Sequence, residues 1–300
     1  AVGFKALETN TTGRYNVAMG WCALRANTTG VVNVAFGSAA LRSNIGASFN
    51  TAVGDGSLRS TVTGARNTGL GYQTLANNTV SNNTAVGFKA LCSNTTGADN
   101  TSVGYKALAA NTIGEFNSAF GLLALTANTT GTGNTAIGNS AIRCNTLGSD
   151  NTAIGFLALC KNTASNNTAV GRSALRNTTT GANNTAVGIC GLVANTTGTL
   201  NVAIGAFSLR NNTTGGANVS LGVDALHDNV VGNNNTAIGH STLAANTASN
   251  NTAVGFCALK DNTSGGNNTA LGFKSLSSNT TGGSNTALGC EALFANSTGG

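Results

Sequence analysis

Two large apolar positions recur along this chain with a polar stretch between them. Take as zero the glycine that follows the first of them. That glycine falls at 3, 20, 37, 54, 71, 87, 104, 121, 138, 155, 171, 188, 205, 222, 239, 255, 272 and 289. The residue before it is always apolar, and the fourth after it is Leu in every repeat but one, where it is Ile142. Ala usually stands two before and three after the glycine. Fourteen of the seventeen intervals are 17 residues and three are 16. The consensus is G-x-x-A-L-x-x-N-T-T-G-x-x-N-T-A-[VILFM]. A repeat this short is one coil of a stack, because a period of this kind cannot close a core of its own.

The pattern predicts two short strands per coil. Five residues separate the apolar positions, so on one straight strand they would face opposite ways. A bend at the glycine lets both point inward, where Gly makes a sharp corner inexpensive. One strand is then N-T-A-V, the other surrounds A-L, and N-T-T-G makes the turn, in which Asn and Gly accept left-handed angles. The predicted core ladder therefore includes Val2, Leu7, Val53, Leu58, Val86, Leu91, Val103, Leu108, Val170, Leu175, Val254 and Leu259. No i, i+3, i+4, i+7 apolar stripe supports a helix. One coil buries two large side chains at about 1.5–3 kcal/mol each. Ordering its backbone costs about 1–2 kcal/mol per residue, so only stacked coils can fold. The fold class is all-β: a parallel β-solenoid, or β-roll, of about 18 coils of 17, sometimes 16, residues.

A slower period overlies the first. The short intervals begin at Gly71, Gly155 and Gly239, 84 residues apart, so five coils form a higher unit. Their turns read Asn78-Thr79-Val80-Ser81-Asn82-Asn83 and its two counterparts, without the turn glycine. Block duplication explains this period, and a contact site repeating every five coils is the functional alternative. The domain reading is a single repeat array over 1–300. It begins and stops inside a repeat, which suggests a fragment of a longer fibre.

Composition removes several function classes. Only 8% of residues are charged and none is proline, which fits neither a disordered polyelectrolyte nor collagen. No apolar run approaches the roughly 20 residues of a membrane span. The net charge is +6, but Lys and Arg sit at scattered variable registers without interleaved aromatics, so nucleic acid is not an expected partner. Seven cysteines occupy four registers, with no CxxC and only two histidines. Neither a disulfide ladder nor a metal site is expected. Nine scattered acidic residues and no phosphate loop give no catalytic constellation, so no enzyme activity and no cofactor is expected.

Two rows are candidates for interaction. The position after the glycine is often large, as in Phe4, Trp21, Tyr72, Phe88, Tyr105, Phe156, Phe256 and Phe273, yet it also accepts Asp55, Arg172 and His240. A sealed core would not admit those charges. This row is read as a surface row for lateral association. The second candidate is the set of Asn-x-Ser/Thr triplets at Asn10, Asn27, Asn94, Asn128 and Asn195, each matching an N-glycan acceptor. Turn chemistry alone also explains them. Stacked Thr rows raise an ice-binding reading, which Val17, Val34, Val202 and Val219 weaken by interrupting one row.

The segment Asn83-Thr84-Ala85-Val86-Gly87-Phe88-Lys89-Ala90-Leu91 resembles the NTAVGxxAL and NTTG repeats of tail-fibre and surface-fibre proteins. More distantly, A-[VI]-G-x-x-A resembles the head repeats of trimeric autotransporter adhesins. The match covers all eighteen repeats. The resemblance implies a left-handed, trimeric parallel β-roll on a cell or virion surface. The departure is length: adhesin heads use a shorter repeat, and the extra residues here fall in the N-T-T-G turn. The expected function is the structural shaft of an extracellular or virion-surface fibre. The rival class is an adhesin or tail-fibre head that grips host-surface glycans or proteins. A tip should break the repeat with an insertion or a confined aromatic cluster, and this chain has neither. The expected partner is therefore the chain itself, end to end or sideways, a trimer included, with no membrane insertion.

Overall fold

The computed structural model describes residues 1–300 and contains no helix. It resolves into two compact units, Ala1–Asn151 and Thr152–Gly300. Each is a parallel β-solenoid. The first stacks eight strands in chain order, from β1 (Val17–Met19) to β8 (Thr135–Ile137). The second stacks nine, from β9 (Thr152–Ile154) to β17 (Thr286–Leu288). Seventeen of the eighteen repeats thus carry a three-residue strand, and the first contributes only a bridge from Val2 to Met19. Register is strict: Thr pairs with Thr, Ala with Ala, Val with Val, as in Thr168↔Thr185, Ala169↔Ala186 and Val170↔Val187.

Each coil has one strand, not two. The residues second and fourth after the glycine take left-handed backbone angles, for example Lys89 at φ 52° and Leu91 at φ 52°. Alternation of this kind forbids a second extended segment around A-L. Hydrogen bonding still runs around the coil. Gly104 N–H donates to the Val86 carbonyl at 2.8 Å, Lys106 to Phe88 at 2.9 Å, Leu91 to Ala107 at 3.0 Å and Thr95 to Thr112 at 2.9 Å. The backbone is therefore paired to the neighbouring coil even where no strand exists, as buried amides require.

The interior corrects the predicted core. The leucine row points in: Leu58, Leu91, Leu108, Leu175 and Leu259 are fully buried, and the exceptions are the terminal coils, where Leu7 is half-buried and Leu293 exposed. The row before the glycine points out. Val53, Val86, Val103, Val170 and Val254 are half-buried, and Val2 is 62% exposed. The reason is the two-residue period of a strand. In Thr-Ala-Val one side chain faces inward, and it is the alanine, as Ala52, Ala85 and Ala253 show at 0% exposure. The glycine corner does bend the chain, but it turns the following A-L inward without turning the valine.

The space left beside Leu and Ala is filled by asparagine. Two ladders run along each unit, seven and thirteen residues after the glycine. In the first, the Asn111 amide donates to Asn94 Oδ1 at 2.8 Å and Asn128 donates to Asn111 Oδ1 at 2.8 Å. In the second, Asn117 Oδ1 receives both the backbone N–H and the amide of Asn134, at 3.0 and 3.1 Å. The Asn117 amide also reaches the Gly131 carbonyl at 2.9 Å. Every polar atom of Asn117 is thus used in a fully buried site, which is the condition for holding a primary amide in a core. The short repeats preserve this arrangement. Where the turn glycine is missing, the Val80 carbonyl accepts the Asn67 amide at 2.8 Å in its place.

Candidate interaction surface

The outward face of the sheet follows from the strand alternation. Thr and the apolar residue before the glycine project from it, and the chain then turns through the glycine to the large residue that follows. Two apolar rows run side by side along each unit. In the first unit they include Leu70, Phe120 and Ile137 beside Tyr72, Phe88, Tyr105 and Leu122, all exposed. In the second they include Ile154, Leu221 and Leu271 beside Phe156, Val223, Phe256 and Phe273. The lateral row predicted from sequence is exposed throughout, including Phe4 and Trp21. What sequence reasoning missed is its companion row, which had been placed in the core. The alternation within Thr-Ala-Val was the signal that could have found it.

Stacking in register makes these rows ordered. Tyr72, Phe88 and Tyr105 form a ring stack with centroids 5.3 Å apart and planes 11° and 9° from parallel. In the second unit His240, Phe256 and Phe273 stack at 5.4 and 5.5 Å. A basic side chain covers several of these rings. Lys89 lies over Phe88 at 5.5 Å, Lys106 over Tyr105 at 5.4 Å and Lys274 over Phe273 at 5.2 Å. Each such ring meets other rings along the row and a cation from its own coil, leaving its edge toward solvent.

The sequon asparagines lie elsewhere, and their placement is a correction. Asn27, Asn94, Asn128 and Asn195 are fully buried members of the first ladder. Their amides already donate, as Asn27 does to Asn10 Oδ1 at 2.7 Å and Asn195 to the Gly198 carbonyl at 3.1 Å. A glycan on such a nitrogen would require that coil to open. Asn10, in the first coil, is exposed. Protein made in a glycosylating host is therefore expected to carry no N-glycan at Asn27, Asn94, Asn128 or Asn195. Peptide mass mapping that finds sugar on these sites in folded material would contradict the ladder.

Other chemistry is sparse. No three His, Cys, Asp or Glu side chains come together, and no helix is long and apolar enough to cross a membrane. The Thr hydroxyls eight after the glycine are spent on the next coil, as Thr95 Oγ1 is on the Thr112 carbonyl at 2.9 Å. The seven cysteines range from buried Cys22 and Cys257 to exposed Cys290. The chain matches no protein-family model, no curated protein and no solved structure.

Proposed function

We propose that this chain is the structural, non-catalytic shaft of an extracellular or virion-surface fibre, in which copies associate sideways through the strand face. The observation that carries the reading is the pair of apolar rows running along each unit without a polar break in the row before the glycine. Monomeric proteins rarely leave so long an apolar stripe in water. With about two fifths of Phe88, Phe120 and Leu122 open, each such side chain offers roughly 60–90 Å². The twelve exposed large apolar residues of the two rows along either unit give on the order of 700–1,000 Å², comparable with the roughly 800 Å² per partner of a standard stable interface. The resemblance to surface-fibre repeats supplies the location. The uniform coil suits a load-bearing role, because every repeat meets its neighbours through the same hydrogen bonds.

Sedimentation of the full chain tests this. The native chain is expected to sediment as an oligomer at micromolar concentration. A Phe88→Glu/Phe120→Glu variant, which changes exposed side chains only, should sediment as a monomer with an unchanged β-type circular dichroism spectrum. A monodisperse native monomer would sink the proposal.

A further inference from the structure

At one place only does a basic residue hold the same register through three consecutive coils. The position five after the glycine carries Arg25, Arg42 and Arg59 in three consecutive coils of the first unit. Strict register sets these side chains one above another, their backbones about 4.8 Å apart. Glu8 precedes them in the same row. Arg25 donates through Nε to Glu8 Oε2 at 2.9 Å, and Lys5 lies 3.5 Å from the other carboxylate oxygen. The Arg25 hydrogen bond is the main cause that holds the Glu8 carboxyl below its ordinary range. One carboxylate therefore serves two cations. Arg42 and Arg59 are exposed and make no ion pair or side-chain hydrogen bond. Like charges at this spacing repel, and no carboxylate stands within ion-pair distance of Arg42 or Arg59 to offset them.

An open groove of about 420 Å³ lies against this row. Polar Thr9, Arg25, Arg42 and Ser43 line it together with apolar Ala26, Ile45 and Val62, and Arg59 stands next in the row, just beyond the lining. The Ser43 hydroxyl has no partner within the protein. We infer that this groove binds an acidic polysaccharide segment that runs on along the row to Arg59, with the arginines on successive carboxylate or sulfate groups and the apolar lining residues under a sugar ring. The pieces fit that class of ligand. A guanidinium presents a planar fork that matches an oxyanion with two parallel hydrogen bonds. The Ser hydroxyl suits a sugar hydroxyl, and Ile45 and Val62 suit the C–H face of a pyranose. No aromatic lines the groove, so bases have nothing to stack on, which sets single-stranded nucleic acid apart. None of these residues belongs to the strand face, so the site stands independently of sideways association.

Calorimetry on the full chain decides it. The probes are a uronate oligosaccharide, a sulfated oligosaccharide of the same length, a neutral glucan oligomer and an oligodeoxythymidylate. At least one acidic sugar is expected to bind ten-fold or more tighter than the neutral sugar and the DNA. The preferred arm tells carboxylate from sulfate recognition. Arg42→Ala/Arg59→Ala should weaken that binding at least ten-fold, and Arg42→Lys/Arg59→Lys should recover only part of it, because charge returns without the fork. Glu8→Gln should strengthen binding several-fold by releasing Arg25. Circular dichroism and sedimentation of all three variants should match the native chain. Absence of binding, equal binding of neutral sugar or DNA, or an unchanged affinity in the double alanine variant would each overturn the inference.

Discussion

Replacing Gly121 with alanine is expected to destabilise the first unit by about 4 kcal/mol or more, placing it among the rare severe substitutions. Two costs combine. The φ of Gly121 is +136°, where an L side chain is strained; such strain costs about 1–3 kcal/mol. The new Cβ would also stand 2.6 Å from the Gly138 carbonyl oxygen and 2.7 Å from its carbon, a backbone neighbour that cannot rotate away. Relief requires the coils to separate, and the Gly138 N–H to Phe120 carbonyl bond of 2.8 Å lies beside the contact. Gly56 is the internal control. It also has positive φ, at 63°, but a Cβ there meets only the Gln73 side chain at 3.4 Å. Other coils place Lys, Cys, Leu and Ser at its register with φ near 55°. Gly56→Ala should cost no more than about 1 kcal/mol. Denaturant unfolding combined with hydrogen exchange separates the two, since repeat arrays open locally. Equal stability of both variants would mean that the glycine row is not the point of closest approach between coils.

The contrast between these glycines marks what could be read from sequence. The period, the coil count, the glycine corner and the inward leucine row follow from spacing alone. The error at Val86 and its counterparts came from equating large and apolar with buried. In a coil this narrow the strand's inward position has room only for a small residue, alanine in most coils and serine at Ser102 and Ser220, and the valine is displaced outward. The left-handed angles at Leu91 and Lys89 left no local trace, because neither residue prefers them. They are imposed by the stack, where the Leu91 N–H meets the Ala107 carbonyl. The asparagines misled for a different reason. Asn suits an exposed turn and a buried ladder equally well in one repeat. What distinguishes the ladder is recurrence at two registers, combined with breaks that leave a mark. Asn44 Oδ1 is a buried atom without a partner, at the place where the next coil carries Thr61. The Thr61 hydroxyl is directed instead to the Asn78 carbonyl at 2.9 Å. The arginine groove was hidden because a count of basic registers over the whole chain dilutes three consecutive coils.

The second large effect is expected from Asn117→Asp, the change that spontaneous deamidation would also make. Asparagine works in the ladder because one end donates and the other accepts. Its amide gives hydrogens to Asn100 Oδ1 at 3.1 Å and to the Gly131 carbonyl at 2.9 Å. An ionised aspartate has no hydrogen to give, so both contacts become repulsive meetings of oxygens. The charge sits at a fully buried position with no cation in the ladder to balance it. Leaving a buried charge uncompensated costs about 3–5 kcal/mol, enough to open the coil. The new carboxyl escapes part of this cost by staying protonated, so its folded pKa rises above the unfolded value of about 3.9. The sign follows from proton linkage. Above the unfolded pKa the folded state holds more protons, so the variant loses stability as pH rises until the folded pKa is passed. The difference from the native chain should therefore be largest at neutral pH and shrink on acidification toward about pH 3. Asn183→Asp provides the comparison, because Asn183 is exposed and the same register carries Asp99 and Asp150 in other coils. That variant should match the native chain across the pH range. Denaturant unfolding at pH 3 and pH 7 measures both, and an Asn117→Asp variant as stable as Asn183→Asp at neutral pH would show that the asparagine ladder does not hold the coils together.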